Sequence, residues 1–195
     1  TLRGERKFLD TITSTSEHTF GLILALARGY KTAFGGERVL GHRLSGKTLG
    51  IIGNKGRVGT QVARYAKAFG MKVIGIDKGE DGLVQVLRES DVVTVHVPLA
   101  GNADMLNRVH FSLMKSSGYF INTSRSGIVQ KGELLEALEH GLIAGAATDF
   151  RDSLDLIQYE KTHYNLILTP HCGCNTEEDR AATDLFIEKK MKAYV

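Results

Sequence analysis

Six short apolar runs, alternating with stretches of helical periodicity, constrain this chain more than any other feature. The runs are KTLGIIG, MKVIGID, DVVTVHVP, YFINTS, IAGAATD and NLILTP. Between the first two, Val58, Val62, Ala66 and Phe69 recur at three and four, and Gly70 ends that helix. FSLMK and KGELLEALEHG read as further helices, and a last one is expected from Thr176 to Val195, with Ala182, Leu185, Phe186 and Met191 near one face. Short strands separated by helices pair in parallel, and the helices cover both faces of the sheet. The predicted fold is α/β, a doubly wound parallel sheet.

Ahead of the first strand, TSEHTFGLILALAR predicts a helix from Thr15 to Arg28, capped by Thr15 or Ser16. Phe20, Ile23, Leu24 and Ala27 form one stripe, while Leu22 and Leu26 lie off it. A helix apolar on more than one side needs a second burying surface, in this domain's core or at a subunit or interdomain contact. The chain thus divides into a leading helix and connection (1–45), a sheet unit (46–175) and a closing helix (176–195).

Composition narrows the function. With 42% hydrophobic and 24% charged residues, the chain is ordinary globular material, and no apolar run is long enough to cross a membrane. The net charge of +3 is dispersed without interleaved aromatics, which argues against nucleic acid. Two cysteines, Cys172 and Cys174, form no disulfide framework and suit a reducing cytoplasm. Zinc on His171, Cys172 and Cys174 is chemically conceivable but cramped, with no second ligand pair, so no metal is expected.

Ligands of doubly wound sheets sit beyond the carboxyl ends of the strands. Here those ends carry Gly53, Asp77, Val97–Pro98, Thr123–Arg125, Asp149 and Pro170–His171. Gly53, Gly56 and Gly59 lie between a strand and a helix, where glycines let the backbone approach a pyrophosphate at a helix N-terminus. Asp77, eighteen residues past Gly59, ends the second strand and can accept the hydroxyls of an adenine ribose, favouring NAD over its 2′-phosphorylated form. This is a Rossmann-like arrangement with one residue too many, since the usual first spacing is two and either Asn54 or Lys55 is surplus.

Taken together, STSEHTFGLILALAR, LSGKTLGIIG…GRVG…AFGMKVIGID, SDVVTVHVPL, LMKSSGYFINTSRSGIVQKGELLEALEHGLIAGAATD and NLILTPHCG resemble the NAD-dependent D-2-hydroxyacid dehydrogenase family, which includes D-3-phosphoglycerate dehydrogenases. The resemblance implies a catalytic arginine at Arg125 and a catalytic histidine at His171. It implies cofactor contacts from Gly53, Gly56, Arg57, Val58, Gly59, Asp77, Val97, Pro98, Thr123 and Asp149, with Arg125 and His171 bordering the same cofactor. It also implies a dimer formed through this lobe. The chemistry fits independently: a planar guanidinium holds a carboxylate by two parallel bonds, and an imidazole exchanges a proton near neutral pH.

The departures are specific. The carboxylate that supports the family's histidine should be a Glu shortly after Asp149, yet DFRDSLDLIQYE has none before Glu160, leaving Asp152 as the stand-in. That segment and the one from Asp77 to Asp91 are short, and Ser126 and Gln130 replace the usual Gly and Asp. The family's substrate lobe precedes the leading helix, so the expectation is a cofactor lobe alone, inactive in isolation. The small partner expected is a 2-oxo or 2-hydroxy acid. The competing reading is an NAD(H)-sensing module without turnover.

Overall fold

The computed structural model describes residues 4–77 and 81–193. Lys78, in the short connection after the second strand, and Tyr194 and Val195, at the expected end of the last helix, lie outside them. In chain order the elements are α1 (Arg6–Leu9), α2 (Ser14–Arg28), α3 (Tyr30–Phe34), β1 (Thr48–Ile52), α4 (Arg57–Ala68), β2 (Lys72–Ile76), α5 (Leu83–Glu89) and β3 (Val92–Val95). They continue with α6 (Arg108–Leu113), β4 (Tyr119–Asn122), α7 (Glu133–Glu139), β5 (Gly145–Thr148), α8 (Leu154–Thr162), β6 (Leu166–Leu168) and α9 (Glu177–Lys192).

The six strands lie in the order β2-β1-β3-β4-β5-β6, every pair parallel. The chain runs from β1 outward to β2, then crosses back over β1 to β3 and continues the other way. That reversal opens a crevice beyond the carboxyl ends of β1 and β3. One face of the sheet buries Leu49, Ile51, Ile121 and Ala147 against α2 and α4. The other buries Val93, Val95, Phe120 and Ala146 among residues of α5, α6 and α7, where Phe111 meets Phe120 edge to face at 5.1 Å. Near-continuous apolar strands, as in VVTV, follow from burial on both faces.

The leading helix finds both its burying surfaces inside this chain. Phe20, Leu22, Ile23, Leu26 and Ala27 are all buried, and α2 packs on α4, β4 and β5. Its cap differs from the one expected. Thr13, not Thr15 or Ser16, precedes the helix, and its side chain caps nothing. The acceptor comes from the other end of the chain, where Asp179 Oδ2 takes the Ser14 amide at 3.1 Å.

Three helices were not legible: α1, α3 and α8. Ser153 starts α8 by accepting the Leu156 amide, and Lys31 closes it by donating to the carbonyls of Glu160, His163 and Leu166 at 2.6, 3.1 and 3.0 Å. The closing helix α9 buries no residue among those described; Phe186 stacks on Phe8 at 4.1 Å, while Leu185 and Met191 stay exposed.

At the amino ends of the strands, Asp91 accepts from the Thr48 amide at 2.8 Å and from Lys115 at 3.0 Å, with Lys47 at 3.8 Å. Partial burial pushes its carboxyl up, but the amide and the two ammonium groups outweigh that and hold it below its usual value. Because the folded value is depressed, its stabilisation is present above the unfolded carboxylate pKa of about 3.9 and is lost as pH falls through the folded value. Asp91→Asn should therefore cost about 1–2 kcal/mol in urea denaturation at neutral pH, and the difference from the parent should vanish in strong acid.

Candidate active site

The glycine loop sits at the crevice. Gly53 and Asn54 donate their amides to the Ile76 carbonyl at 2.8 and 3.2 Å, tying the loop to the end of β2. Gly53 has φ 96°, and a Cβ there would lie 2.7 Å from the His96 carbonyl oxygen. A Cβ on Gly59 would lie 2.2 Å from the Gly53 carbonyl oxygen, so α4 touches the loop backbone at a distance only glycine permits. Gly56 precedes α4 in an extended conformation, no side chain caps the helix, and no acidic residue lies in its first turn. The amides and dipole of that helix end are left for an anion.

The surplus residue has a visible consequence. The Lys55 amide donates to Asp77 Oδ2 at 2.9 Å, so the lengthened loop leans on the carboxylate expected to hold a ribose. Asn54 Oδ1 is buried without a hydrogen-bond partner. Arg57 turns away: its Nη1 donates to the Ile12 carbonyl at 2.6 Å, leaving its backbone at the helix start as its contribution to the loop. Val58 packs partly buried on the α2–α4 core, Val97 is buried, and Pro98 is exposed beyond β3. His96 bonds Thr94 at 3.0 Å, and burial pushes its imidazole down to about 3, so it stays neutral and is no proton carrier near pH 7. A glycine cradle, an open helix end, an acidic residue at the end of β2 and an orphaned amide oxygen together fit a dinucleotide.

The ends of β4, β5 and β6 lie side by side and carry the remaining candidates. Asn122, fully buried, donates to the Arg125 carbonyl at 3.0 Å and accepts the Ser124 amide at 3.0 Å, fixing the turn after β4. Thr123 shares a 2.8 Å bond with Thr19 of α2. On this anchored turn the Arg125 side chain is exposed, and among the described residues Nη1 donates to the Ser124 carbonyl alone, at 2.6 Å.

Asp149 is the hub. Its Oδ1 accepts from Thr169 at 2.6 Å and from the Cys172 amide at 2.9 Å, and its Oδ2 accepts from the Gly173 amide at 2.9 Å. His18 Nε2 stands 3.5 Å from Oδ1 and 2.9 Å from Thr169 Oγ1. Burial alone would raise this carboxyl, but the bonds from His18, Thr169, Gly173 and Cys172 outweigh it and hold Asp149 well below the usual carboxylate range. The same carboxylate, after burial itself, pushes the Cys172 thiol up. Asp149 thus spends its oxygens clamping the turn that presents His171. That residue is exposed at φ 55°, with no hydrogen bond or ion pair to its ring among the described residues.

No carboxylate supports His171 among the described residues. Asp152, the expected stand-in, accepts from the Ser126 hydroxyl. Glu160 is engaged by Arg151 at 2.9 Å and by the Leu168 amide at 2.8 Å. Ser126 and Asp152 border a cavity of about 580 Å³ between α7 and α8, floored by Phe120, Leu134 and Leu156, which neither Arg125 nor His171 lines. Sequence reasoning missed His18, Thr19 and Thr169, which reach the site only through tertiary contact. A polar residue on the buried side of α2 was the signal available.

Comparison with known proteins adds an independent line. Residues 20–173 match the family model described as D-isomer specific 2-hydroxyacid dehydrogenase, NAD binding domain. The D-3-phosphoglycerate dehydrogenase of Methanocaldococcus jannaschii is 35% identical over 202 aligned residues, covering 92% of this chain and 38% of the relative. The glyoxylate reductase of Thermococcus litoralis is 34% identical, covering 93% and 63%. Among solved structures, a D-lactate dehydrogenase from Aquifex aeolicus, complexed with NAD and lactic acid, aligns with TM-score 0.78 at 29% identity, covering 93% of this chain and 66% of that one. The chain spans about two fifths of the first of these relatives. That alignment is longer than the chain's 195 residues, so the relative carries internal residues that this chain lacks, in keeping with short connections.

Proposed function

Since the chain belongs to the D-isomer specific 2-hydroxyacid dehydrogenase family as its NAD-binding domain, we propose that it serves an NAD-dependent interconversion of a D-2-hydroxy acid and a 2-oxo acid. The observation that carries the reading is the pair of exposed side chains, Arg125 and His171, presented at the same carboxyl-end edge of the sheet as the glycine loop by turns that Asn122 and Asp149 anchor. When bound, NADH would supply the hydride to the 2-oxo acid, and NAD+ would accept it from the 2-hydroxy acid in the reverse direction. The amides at the start of α4 bind the pyrophosphate, and Asp77 selects an unmodified ribose. Thr123, Val97 and Pro98 border the cofactor. Arg125 grips the acid's carboxylate in a bidentate bond. His171 gives a proton to the oxygen of the nascent alcohol, and takes it in the reverse direction. Asp149 orients His171 and excludes other rotations of its turn. Asp152, engaged with Ser126, is not carried into this role.

A second reading, an NAD(H)-responsive module without turnover, is favoured by one observation: among the described residues no carboxylate is bonded to His171 to stabilise its protonated form. Turnover of a panel of 2-oxo acids by the intact protein separates the two. We further infer a cytoplasmic setting from two free cysteines. A homodimer is supported by apolar surface at Phe34, Leu40 and Phe69.

The cofactor assignment is tested by fluorescence titration. NADH should bind at least about tenfold more tightly than NADPH, and Asp77→Ala should narrow that gap, since a bond to a charged group contributes roughly 1.5–3 kcal/mol. Equal or better NADPH binding by the unaltered chain would sink the assignment.

A further inference from the structure

The sequence suggested a metal only through the adjacent His171, Cys172 and Cys174. The structure assembles a different trio. His18 from α2, Asp149 after β5 and Cys172 after β6 converge so that Nε2, a carboxylate oxygen and Sγ lie within 4.8 Å of one another. Three separate elements supply them, so the arrangement is held by the fold rather than by one flexible loop. We propose that this trio is a binding site for a thiophilic divalent cation of the zinc class, sharing Asp149 with the edge of the dinucleotide site.

The geometry already suits two of the ligands. A tetrahedral zinc with Zn–N and Zn–O bonds near 2.0–2.2 Å sets its nitrogen and oxygen ligands about 3.3–3.5 Å apart. His18 Nε2 and Asp149 Oδ1 stand 3.5 Å apart without any ion between them. The third, Cys172 Sγ, closes by side-chain rotation on a turn whose backbone amide is fixed to Asp149. The donor set is one imidazole nitrogen, one carboxylate oxygen and one thiolate sulfur, all groups that zinc accepts. The cation would displace the Cys172 thiol proton to solvent, overcoming the upward push of burial and Asp149; the thiolate and the Asp149 carboxylate then balance the dication, and three protein ligands leave a fourth position for water.

The surroundings permit the exchange. His18 Nδ1 makes no bond among the described residues, so the ring can carry its proton there and offer Nε2 as a lone pair. Thr169 Oγ1, which now bridges His18 and Asp149 at 2.9 and 2.6 Å, is the group the cation would displace. Gly173 allows the approach: a Cβ there would lie 2.8 Å from Asp149 Oδ2 and 3.0 Å from His18 Cδ2. Occupied, the site ties α2 directly to the turn that carries His171.

Cobalt(II) titration of the 195-residue chain tests this without any reference to activity or NAD. A thiolate-to-cobalt charge-transfer band and four-coordinate d–d absorption should appear at one equivalent, and zinc should abolish both by displacement. Cys172→Ser should lose the charge-transfer band while keeping the parent's circular dichroism. Cys174→Ser should retain the band, and His18→Ala should weaken cobalt affinity at least tenfold. Absence of a charge-transfer band in the parent chain, or its survival in Cys172→Ser, overturns the proposal. So does loss of the band in a folded Cys174→Ser.

Discussion

Gly59→Ala is expected to lower the unfolding free energy by roughly 1–3 kcal/mol, the range for forcing extra atoms into a filled space, and to remove measurable NADH binding. The added methyl would lie 2.2 Å from the Gly53 carbonyl oxygen, 3.0 Å from the Gly53 carbonyl carbon and 3.1 Å from the Asn54 Cα. All three are backbone atoms, so no side chain can swing aside. Either α4 moves away from the loop or the loop leaves the end of β2, and both displace the helix amides from the anion they would hold. Gly21→Ala provides the control: it lies in α2 with nothing within 4 Å of a new Cβ, and it should stabilise by about 0.5–1 kcal/mol through lost backbone entropy in the unfolded chain. Thermal melts of the two variants, with NADH titration of each, check both halves. Wild-type NADH affinity in Gly59→Ala would refute the close-approach argument.

Asp149→Ala should produce the other large effect, a loss of roughly 3 kcal/mol or more, because each buried donor left unpaired costs about 1–3 kcal/mol. The Cys172 and Gly173 amides lose their acceptor at once, and the Thr169 hydroxyl is left with the longer bond to the Thr148 carbonyl at 3.3 Å. Asp149→Asn should fall between, since one oxygen still accepts from Thr169 and Cys172 while its amide group faces the Gly173 N–H. Urea denaturation reads the stability, and hydrogen exchange at residues 172 and 173 reads the turn. Unchanged protection there in Asp149→Ala would show that the turn holds itself.

The parts of the molecule legible in the sequence are those set by local pattern. VVTV and TLGII could be read as buried strands because both faces are apolar, and the order of strands and helices then dictated a parallel sheet. Gly53, Asp77, Arg125 and His171 could be placed at strand ends from that order alone. What stayed hidden depends on contacts between distant segments. The cap of α2 comes from Asp179, 165 residues away. The α8 helix mixes Leu156, Ile157 and Tyr159 with charged neighbours, and its end is completed by Lys31 from a separate helix. Asp149 looked like an open cofactor ligand because its partners Thr169, Cys172 and Gly173 meet it only once β5 and β6 are paired. Periodicity placed Phe186 in an apolar face of the last helix, but could not show that it would stack on Phe8 rather than enter a core.

The backbone of His171 carries a meaning of its own. At φ 55° a side-chain-bearing residue is disfavoured by roughly 1–2 kcal/mol, a cost that glycine at the same place would escape. The ring recovers nothing in return, for no neighbour among the described residues bonds to it. Folding alone would select glycine or asparagine here. An imidazole in this strained, solvent-facing position is a local cost that the rest of the fold carries, and the proton transfer proposed above is the use that would give that cost a purpose.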